Sequence, residues 1–293
     1  VRRRRTQEGC FPIHTEHDID HRLRFVPEPE IAFDGDSAQA IGVDLPVAVI
    51  NLSHRTDKWS AISDRMAAIG LNKLIKVPAI EGARLSLEAI GPLLGQPTER
   101  IEAAPQSHFT LTRPAIGCFL SHIATWRWMI ANRMPRLLIL EDDANPAPSF
   151  DANRFRDLVG AIPPTAGLVF LGGSIMNGMA EPPQGVGLAR IYFFNGTFAY
   201  LITPAACKTL IPALLPMNGH IDHELSTVLI KLRHEFEARY AAPPVFEPDW
   251  ALGSDCYVPL DGVTDADRAL GVVLHASRQL LIDDGRPLLP PFI

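Results

Sequence analysis

The stretch Leu137–Asp143, LLILEDD, constrains this chain more than any other. Four branched apolar residues run directly into three consecutive carboxylates. A short continuous apolar run is the signature of a strand covered on both faces, as in the sheets of α/β proteins. Its acids then stand where the strand leaves the sheet, at the carboxyl edge where open α/β sheets bind ligands. Side chains two apart in an extended chain point the same way. Glu141 and Asp143 are therefore expected on one side and Asp142 on the other. Carboxylate oxygens converging at a strand end suit a hard divalent cation, Mg²⁺ or Mn²⁺, which can carry a substrate diphosphate. The competing reading is a polar loop that happens to be acidic.

A chain of 293 residues has room for one large α/β domain or two small ones. Its net charge of −6 disfavours nucleic acid as a partner. The same charge opposes an anionic substrate unless a bound cation compensates. No apolar run reaches the roughly 18 residues that span a membrane. The start, VRRRR, has no initiator Met and no secretory signal, which leaves processing, truncation or an upstream anchor open. Cys10, Cys118, Cys207 and Cys256 are far apart, lack zinc-ribbon spacing and read as reduced thiols.

Residues 1–45 show no sustained periodicity and read as a tail or an arm laid over the domain. Arg2–Arg5 are expected to be solvated, with peripheral contact to an anionic membrane as the alternative. Cys10, His14, His17 and His21 fit no common zinc spacing. The folded domain is expected over 46–293. Val47–Leu52 reads as a buried strand. A helix follows from Thr56, with Trp59, Ile62, Met66 and Ile69 on one stripe and Gly70 at its end. Lys73–Val77 is the next strand, which makes a parallel crossover. Residues 82–112 read as an irregular, substrate-facing insertion. Ile116–Asn132 has helical period, with Cys118 and His122 sharing a second face.

Further on, Phe155–Ile162 reads as a short helix and Gly167–Leu171 as a strand. Residues 175–188, rich in Gly and Pro, read as a mobile loop. Ile191–Phe194 and Phe198–Ile202 are expected to pair as a hairpin about Asn195–Gly196. Thr203–Pro204 opens a helix, and Asp222–Leu232 forms another. From Ala241 the chain is Pro-rich and reads as mostly irregular. There is no internal repeat.

Six pieces stand in one order: VINLSHR (Val49–Arg55), VPAIEG (Val77–Gly82), IGCFLSH (Ile116–His122), LILEDD (Leu138–Asp143), FNGTFAYLITPAACKTL (Phe194–Leu210) and HIDHEL (His220–Leu225). Together they resemble glycosyltransferase family 25, over roughly residues 46–257. That family includes bacterial lipooligosaccharide and collagen hydroxylysine galactosyltransferases. The resemblance implies a GT-A fold, a single Rossmann-like central sheet flanked by helices. It implies a UDP-galactose or UDP-glucose donor and inversion at the anomeric carbon. The EDD triplet would be this chain's form of the metal-binding DxD element, and Asp222 matches the acidic residue near the family's C-terminal helix. Lys58, Glu81 and Gly167 depart from the family's usual Arg, Asp and Asp.

Sugar transfer must stabilise a leaving diphosphate, orient the donor and deprotonate the acceptor. Asp143 is the expected direct metal ligand, with Glu141 and Asp222 as further ligands and Mn²⁺ or Mg²⁺ as the ion. Glu141 and Asp142 are alternatively placed on the ribose or on metal-bound water. Asn51, Leu52 and Arg55 leave the first strand, the usual place for a nucleotide, and the Arg55 fork suits phosphate. His122, beside Ser121, is given a donor-side role, against the reading of a structural histidine. Cys118 is read as packing, since inversion needs no covalent intermediate.

Asp222 and Glu224 are the candidate proton acceptors. Asp222 also reads as a helix cap or as part of a metal shell with His220 or His223. Gly196, counted with the donor-binding residues, and Tyr200 border the cleft, or are only a turn and a strand aromatic. The expectation is thus an inverting, metal-dependent hexosyltransferase with a nucleotide-sugar donor and a glycan or protein acceptor. It is placed in the cytoplasm or at a membrane, with the secretory lumen left open. The alternative is a non-catalytic binding or scaffold relative. A phosphohydrolase forming an aspartyl-phosphate is opposed by Glu141, which stands where such enzymes need Asp.

Overall fold

The computed structural model describes residues 23–26, 28, 30–31, 45–104, 110–175, 178–256 and 265–290. Arg2–Arg5 and the group Cys10, His14, His17 and His21 lie outside the described residues. The strands are β1 (Val47–Asn51), β2 (Leu74–Pro78), β3 (Leu137–Glu141), β4 (Ala144–Pro146), β5 (Ala166–Phe170), β6 (Ser174–Ile175), β7 (Leu188–Arg190), β8 (Phe194–Asn195), β9 (Ala199–Ile202), β10 (Glu237–Ala241) and β11 (Phe246–Pro248). The α-helices are α1 (Thr56–Ala68), α2 (Thr98–Glu102), α3 (Arg113–Ala131), α4 (Ala152–Gly160), α5 (Pro204–Leu214), α6 (Ile221–Lys231) and α7 (Asp265–Asp283). Among the described residues no helix is long and apolar enough to cross a membrane.

The α/β class is as expected. A seven-stranded sheet runs in the order β2-β1-β3-β9-β5-β10-β7. β1 is parallel to both β2 and β3, with Val47 opposite Leu74 and Leu138. The apolar runs are covered on both faces, which is why they do not alternate with polar residues. On one face Val47, Val49, Leu138, Leu140 and Leu201 pack with Ile62 and Met66 of α1 and Phe155 and Leu158 of α4. On the other, Ala48, Ile50, Ile139, Tyr200 and Ile202 pack with Phe119 and Ile123 of α3 and Leu210 of α5. The carboxyl ends of β1, β2 and β3 therefore open on one edge of a three-layer sandwich.

Local chemistry sets the helix starts. Thr112 Oγ1 accepts from Ala115 N at 3.4 Å, and Pro114 sits in the first turn, so α3 begins three residues before the apolar stripe does. Thr203 caps α5 in the same way through Ala206 N, and Asp151 caps α4 through Arg154 N. α1 ends just before Gly70, as expected.

Four expectations are corrected. Asn195–Gly196 does not close a hairpin. β8 pairs with β6 in a separate two-stranded sheet, while β9 enters the main sheet antiparallel to both β3 and β5. Gly196, at φ +99°, makes the turn between the two sheets. The run AYLI is buried at every position, and a central place satisfies it where a two-stranded ribbon could not. The 175–188 segment is built into the edge of the fold, with Met179 and Ala180 fully buried and Ala180 bridged to Ile191. The 82–112 insertion contains α2 and two 3₁₀ turns. The C-terminal region, read as irregular, contains β11 and the nineteen-residue α7.

Gly117 lies at a tight crossing between α3 and the loop after β2. A Cβ there would lie 2.4 Å from Ile80 O and 2.6 Å from Gly82 N, both backbone atoms that cannot step aside. Gly117→Ala is expected to cost about 1–3 kcal/mol of stability, the usual penalty of overpacking, read from denaturant unfolding.

Candidate active site

Three neighbouring acids at the end of β3 are accommodated in three different ways. Glu141 Oε1 accepts from Thr197 Oγ1 at 2.7 Å and lies 3.2 Å from His122 Nε2. His122 Nδ1 is 2.7 Å from Tyr200 Oη, and Trp126 Nε1 donates to the same oxygen at 2.9 Å. The indole N–H is only a donor, and burial pushes the Tyr200 phenol well above its ordinary range, so it keeps its proton. The phenol then donates to His122 Nδ1, which leaves the Nε2–H to donate to Glu141. A chain of directed hydrogen bonds, Trp126 to Tyr200 to His122 to Glu141, thus fixes one carboxylate oxygen. His122 and Trp126 are one helical turn apart on α3, which brings both to a single tyrosine of β9.

Asp142 turns the other way, toward β1. Its Oδ2 accepts from Asn51 Nδ2 at 2.8 Å, and its Oδ1 lies 3.5 Å from Lys58 Nζ. Burial raises the Asp142 carboxyl, while Asn51 and Lys58 pull it back down.

Asp143 has no such support. Its Oδ1 is buried without a hydrogen-bond partner among the described residues. Burial, and then the charges of Glu141 and Asp142, push its carboxyl up to about 7. An orphaned, charge-crowded carboxylate oxygen beside a second carboxylate is a donor set that fits a hard divalent cation. Residues Glu141 and Asp143 therefore fit the expected metal.

The cations of this site come from the β1–α1 turn. Lys58 is 2% exposed, and an ammonium so buried persists only when paired. Its Nζ donates to Asp255 Oδ2 at 2.6 Å and to Gly253 O at 3.0 Å. Burial works against its charged form, but Asp255 and Asp142 outweigh that and hold its pKa above the ordinary value. Arg55 bonds Asp57 through two nitrogens and Asp255 Oδ1 at 2.5 Å. Asp255 belongs to a strap, residues 249–256, that begins where Asp249 N donates to Asp143 O at 2.8 Å and Asp249 Oδ2 meets Arg65 at 3.2 Å.

The strap lies between two cavities. The first, about 260 Å³, is bordered by Leu52, Lys58, His122, all three acids of the triplet and Asp255. The second, about 320 Å³, is bordered by Gly196, Thr197, Asp222, Phe198 and Trp250. Glu141, Asp143, Cys118, Ser254 and Cys256 border both. Asp142 borders only the first, so the alternation expected of the triplet carries past the strand end.

Of the residues expected on the donor, Leu52 and His122 face the first cavity, whereas Asn51 and Arg55 line neither and act on Asp142 and Asp255. Gly196 faces the second cavity. Tyr200 is fully buried behind His122. Asp222 faces the second cavity at the start of α6, its Oδ2 accepting from Gly196 N and its Oδ1 from His223 N, both at 2.9 Å. Glu224 lines neither cavity, and burial raises its carboxyl. Ser121 accepts from Ile80 N at 2.8 Å and braces the loop after β2. Cys118 is a free thiol in hydrogen-bonding contact with Cys256, which with burial pushes its pKa well up. Thr197, Asp255 and the strap were not legible in the sequence, because their partners lie far along the chain.

Fold and site together define an α/β protein with an acid-lined double cleft at the carboxyl edge of its parallel strands. Residues 45–154 match the model of glycosyltransferase family 25 (LPS biosynthesis protein), the family that the motifs resemble. A glycosyltransferase 25 family member of Drosophila melanogaster is 32% identical over 112 residues, 38% of this chain and 18% of that protein. Human procollagen galactosyltransferase 2 is 26% identical over 220 residues, 70% of this chain and 33% of that protein. The human inactive glycosyltransferase 25 family member 3 is 30% identical over 175 residues, 58% of this chain and 29% of that protein. The chain thus spans a fifth to a third of the length of these curated relatives. Among solved structures, mouse xyloside xylosyltransferase 1 in its apo form aligns with a TM-score of 0.37 at 13% identity, over 76% of this chain and 80% of that one.

The state of Asp143 makes a stability prediction for the metal-free protein. Its folded pKa is above its unfolded one, so the group costs nothing at low pH, where both states are protonated. The cost grows as pH rises toward 7 and then levels off. Asp143→Asn is therefore expected to be more stable than the parent at pH 8, on the order of 1–3 kcal/mol. The gap should close as pH falls toward 4, followed by thermal unfolding in chelator. A parent chain as stable as the variant at pH 8 contradicts this.

Proposed function

We propose that this chain is a metal-dependent, inverting glycosyltransferase of the GT-A type that moves a hexose from a UDP-sugar to an acceptor hydroxyl. The observation that carries this reading is the placement of Glu141 and Asp143 in a wall common to two cavities, with Asp222 facing one of them. A donor in the first cavity and an acceptor in the second would meet at that wall.

Charge supports the metal. The first cavity is bordered by Glu81, Glu141, Asp142, Asp143 and Asp255 against Lys58. A diphosphate entering such a surface is repelled unless a cation enters with it. Glu141 and Asp143 would hold Mn²⁺ or Mg²⁺, which supplies neutralising charge to the leaving diphosphate. The Trp126–Tyr200–His122 chain keeps Glu141 oriented for that task. Asp222, fixed by two backbone N–H groups, takes the proton of the acceptor hydroxyl. The hydroxyl oxygen forms the new bond to the anomeric carbon from the face opposite the diphosphate. The carbon–oxygen bond to UDP breaks, and its electron pair stays on the phosphate oxygen. Glu224, which borders neither cavity, is set aside as the base.

The second cavity is bordered by Glu141, Asp143, Asp222, Glu247 and Asp249, with no Lys or Arg among its described lining residues. This favours neutral or cationic acceptors over anionic ones. A second reading, a non-catalytic binding relative, draws on the match to a human family member named inactive. The complete acidic triplet and the placement of Asp222 argue for catalysis.

Hydrolysis of UDP-galactose, UDP-glucose and other nucleotide sugars, measured with Mn²⁺ and with chelator, tests the reading. Turnover is expected with Mn²⁺ and not with chelator, and Asp143→Asn should abolish it in a folded protein. Asp222→Asn should lower kcat for transfer by about 10²- to 10⁴-fold, the usual weight of a general base, with little change in donor KM. A folded protein without metal-dependent turnover on any donor supports the scaffold instead.

A further inference from the structure

We propose that the donor's phosphate position is already filled by the protein's own Asp255, and that a nucleoside diphosphate binds by displacing this carboxylate together with its strap. The inference rests on the transferase reading of the site and adds how that site is regulated.

Two cations of one local element, Arg55 and Lys58, converge on a single carboxylate. Asp255 Oδ1 accepts from Arg55 at 2.5 Å and Oδ2 from Lys58 at 2.6 Å. Two oxygens of one anion divided between a guanidinium and an ammonium is also how a phosphate is gripped. The pair stands at the carboxyl end of β1 and the start of α1, the part of an α/β sheet where a nucleotide's phosphates are received. The Asp255 side chain is 28% exposed, so it can leave without unfolding the core, whereas Lys58 at 2% cannot. Asp255 also borders the first cavity, alongside the triplet.

Charge explains why an occupant is needed. With Asp255 absent, the buried ammonium would keep only the Gly253 carbonyl at 3.0 Å and the Asp142 carboxylate across 3.5 Å. With it present, the cavity wall is acidic and repels a donor. Exchange of one anion for another keeps the cations paired throughout, and the strap that carries Asp255 then opens the partition between the two cavities. Trp250 lies on the same strap and is 76% exposed, so its emission reports strap movement.

The test uses the full chain, UDP and Mn²⁺. Calorimetry should show Asp255→Asn binding UDP about five- to tenfold more tightly than the parent, since a competing occupant has been removed. Adding Lys58→Met to that variant should reverse the gain. In the parent, UDP should change the tryptophan emission, and Trp250→Phe should lose that change, a readout that requires no alteration of Asp255. Equal or weaker UDP binding by Asp255→Asn, or a strap tryptophan silent to bound UDP, overturns the displacement and leaves the transferase reading standing. UDP bound by neither protein overturns both.

Discussion

Three adjacent carboxylates at the end of one buried strand repel one another, and the surroundings of β3 are organised by how each is handled. Glu141 is held by donors from α3 and from the approach to β9. Asp142 is turned toward β1, where an amide and a buried ammonium receive it. Asp143 Oδ1 has no hydrogen-bond partner among the described residues, and its carboxyl is raised to about 7 by burial and by its two neighbours. A fold selected for stability alone would not leave that oxygen bare, because an unmet buried carboxylate costs more than the hydrogen bond it forgoes. Asp143 is also one of the residues that border both cavities.

The partners of the triplet are spread along the chain. His122 and Lys58 lie within the region that matches the family, as do the acids themselves. Thr197, Tyr200, Asp222 and Asp255 lie beyond it, and they supply the support for Glu141, a carboxylate on the second cavity and the counter-anion for the cations. The shared region therefore carries one wall of the cleft, and the later part of the chain carries the other.

Much of this was legible in the residues. A branched apolar run ending in acids can hardly be anything but a buried strand delivering carboxylates to an edge, and β1, α1, β2 and α3 announce themselves by period, although the cap Thr112 that starts α3 early was not read from the sequence. What was not legible is pairing at a distance. The AYLI run shows that it wishes to be covered on both sides, but not that its neighbours are β3 and β5. Asn51 and Arg55 are of the right type for a nucleotide, yet their side chains point at Asp142 and Asp255. Asp255 looked like one acid in a Pro-rich tail, because the residues that give it meaning stand 197 and 200 positions earlier. Residue type is local, whereas direction belongs to the assembled fold.

The position of β9 has a consequence for how such a chain matures. Because this strand is wedged between β3 and β5, the acidic end of β3 has a bare flank while a nascent chain has emerged only as far as α4. Thr197 and Tyr200, which steady Glu141, arrive on the very segment that closes that flank. Covering that flank and steadying Glu141 are thus one event, set by a single segment of the chain.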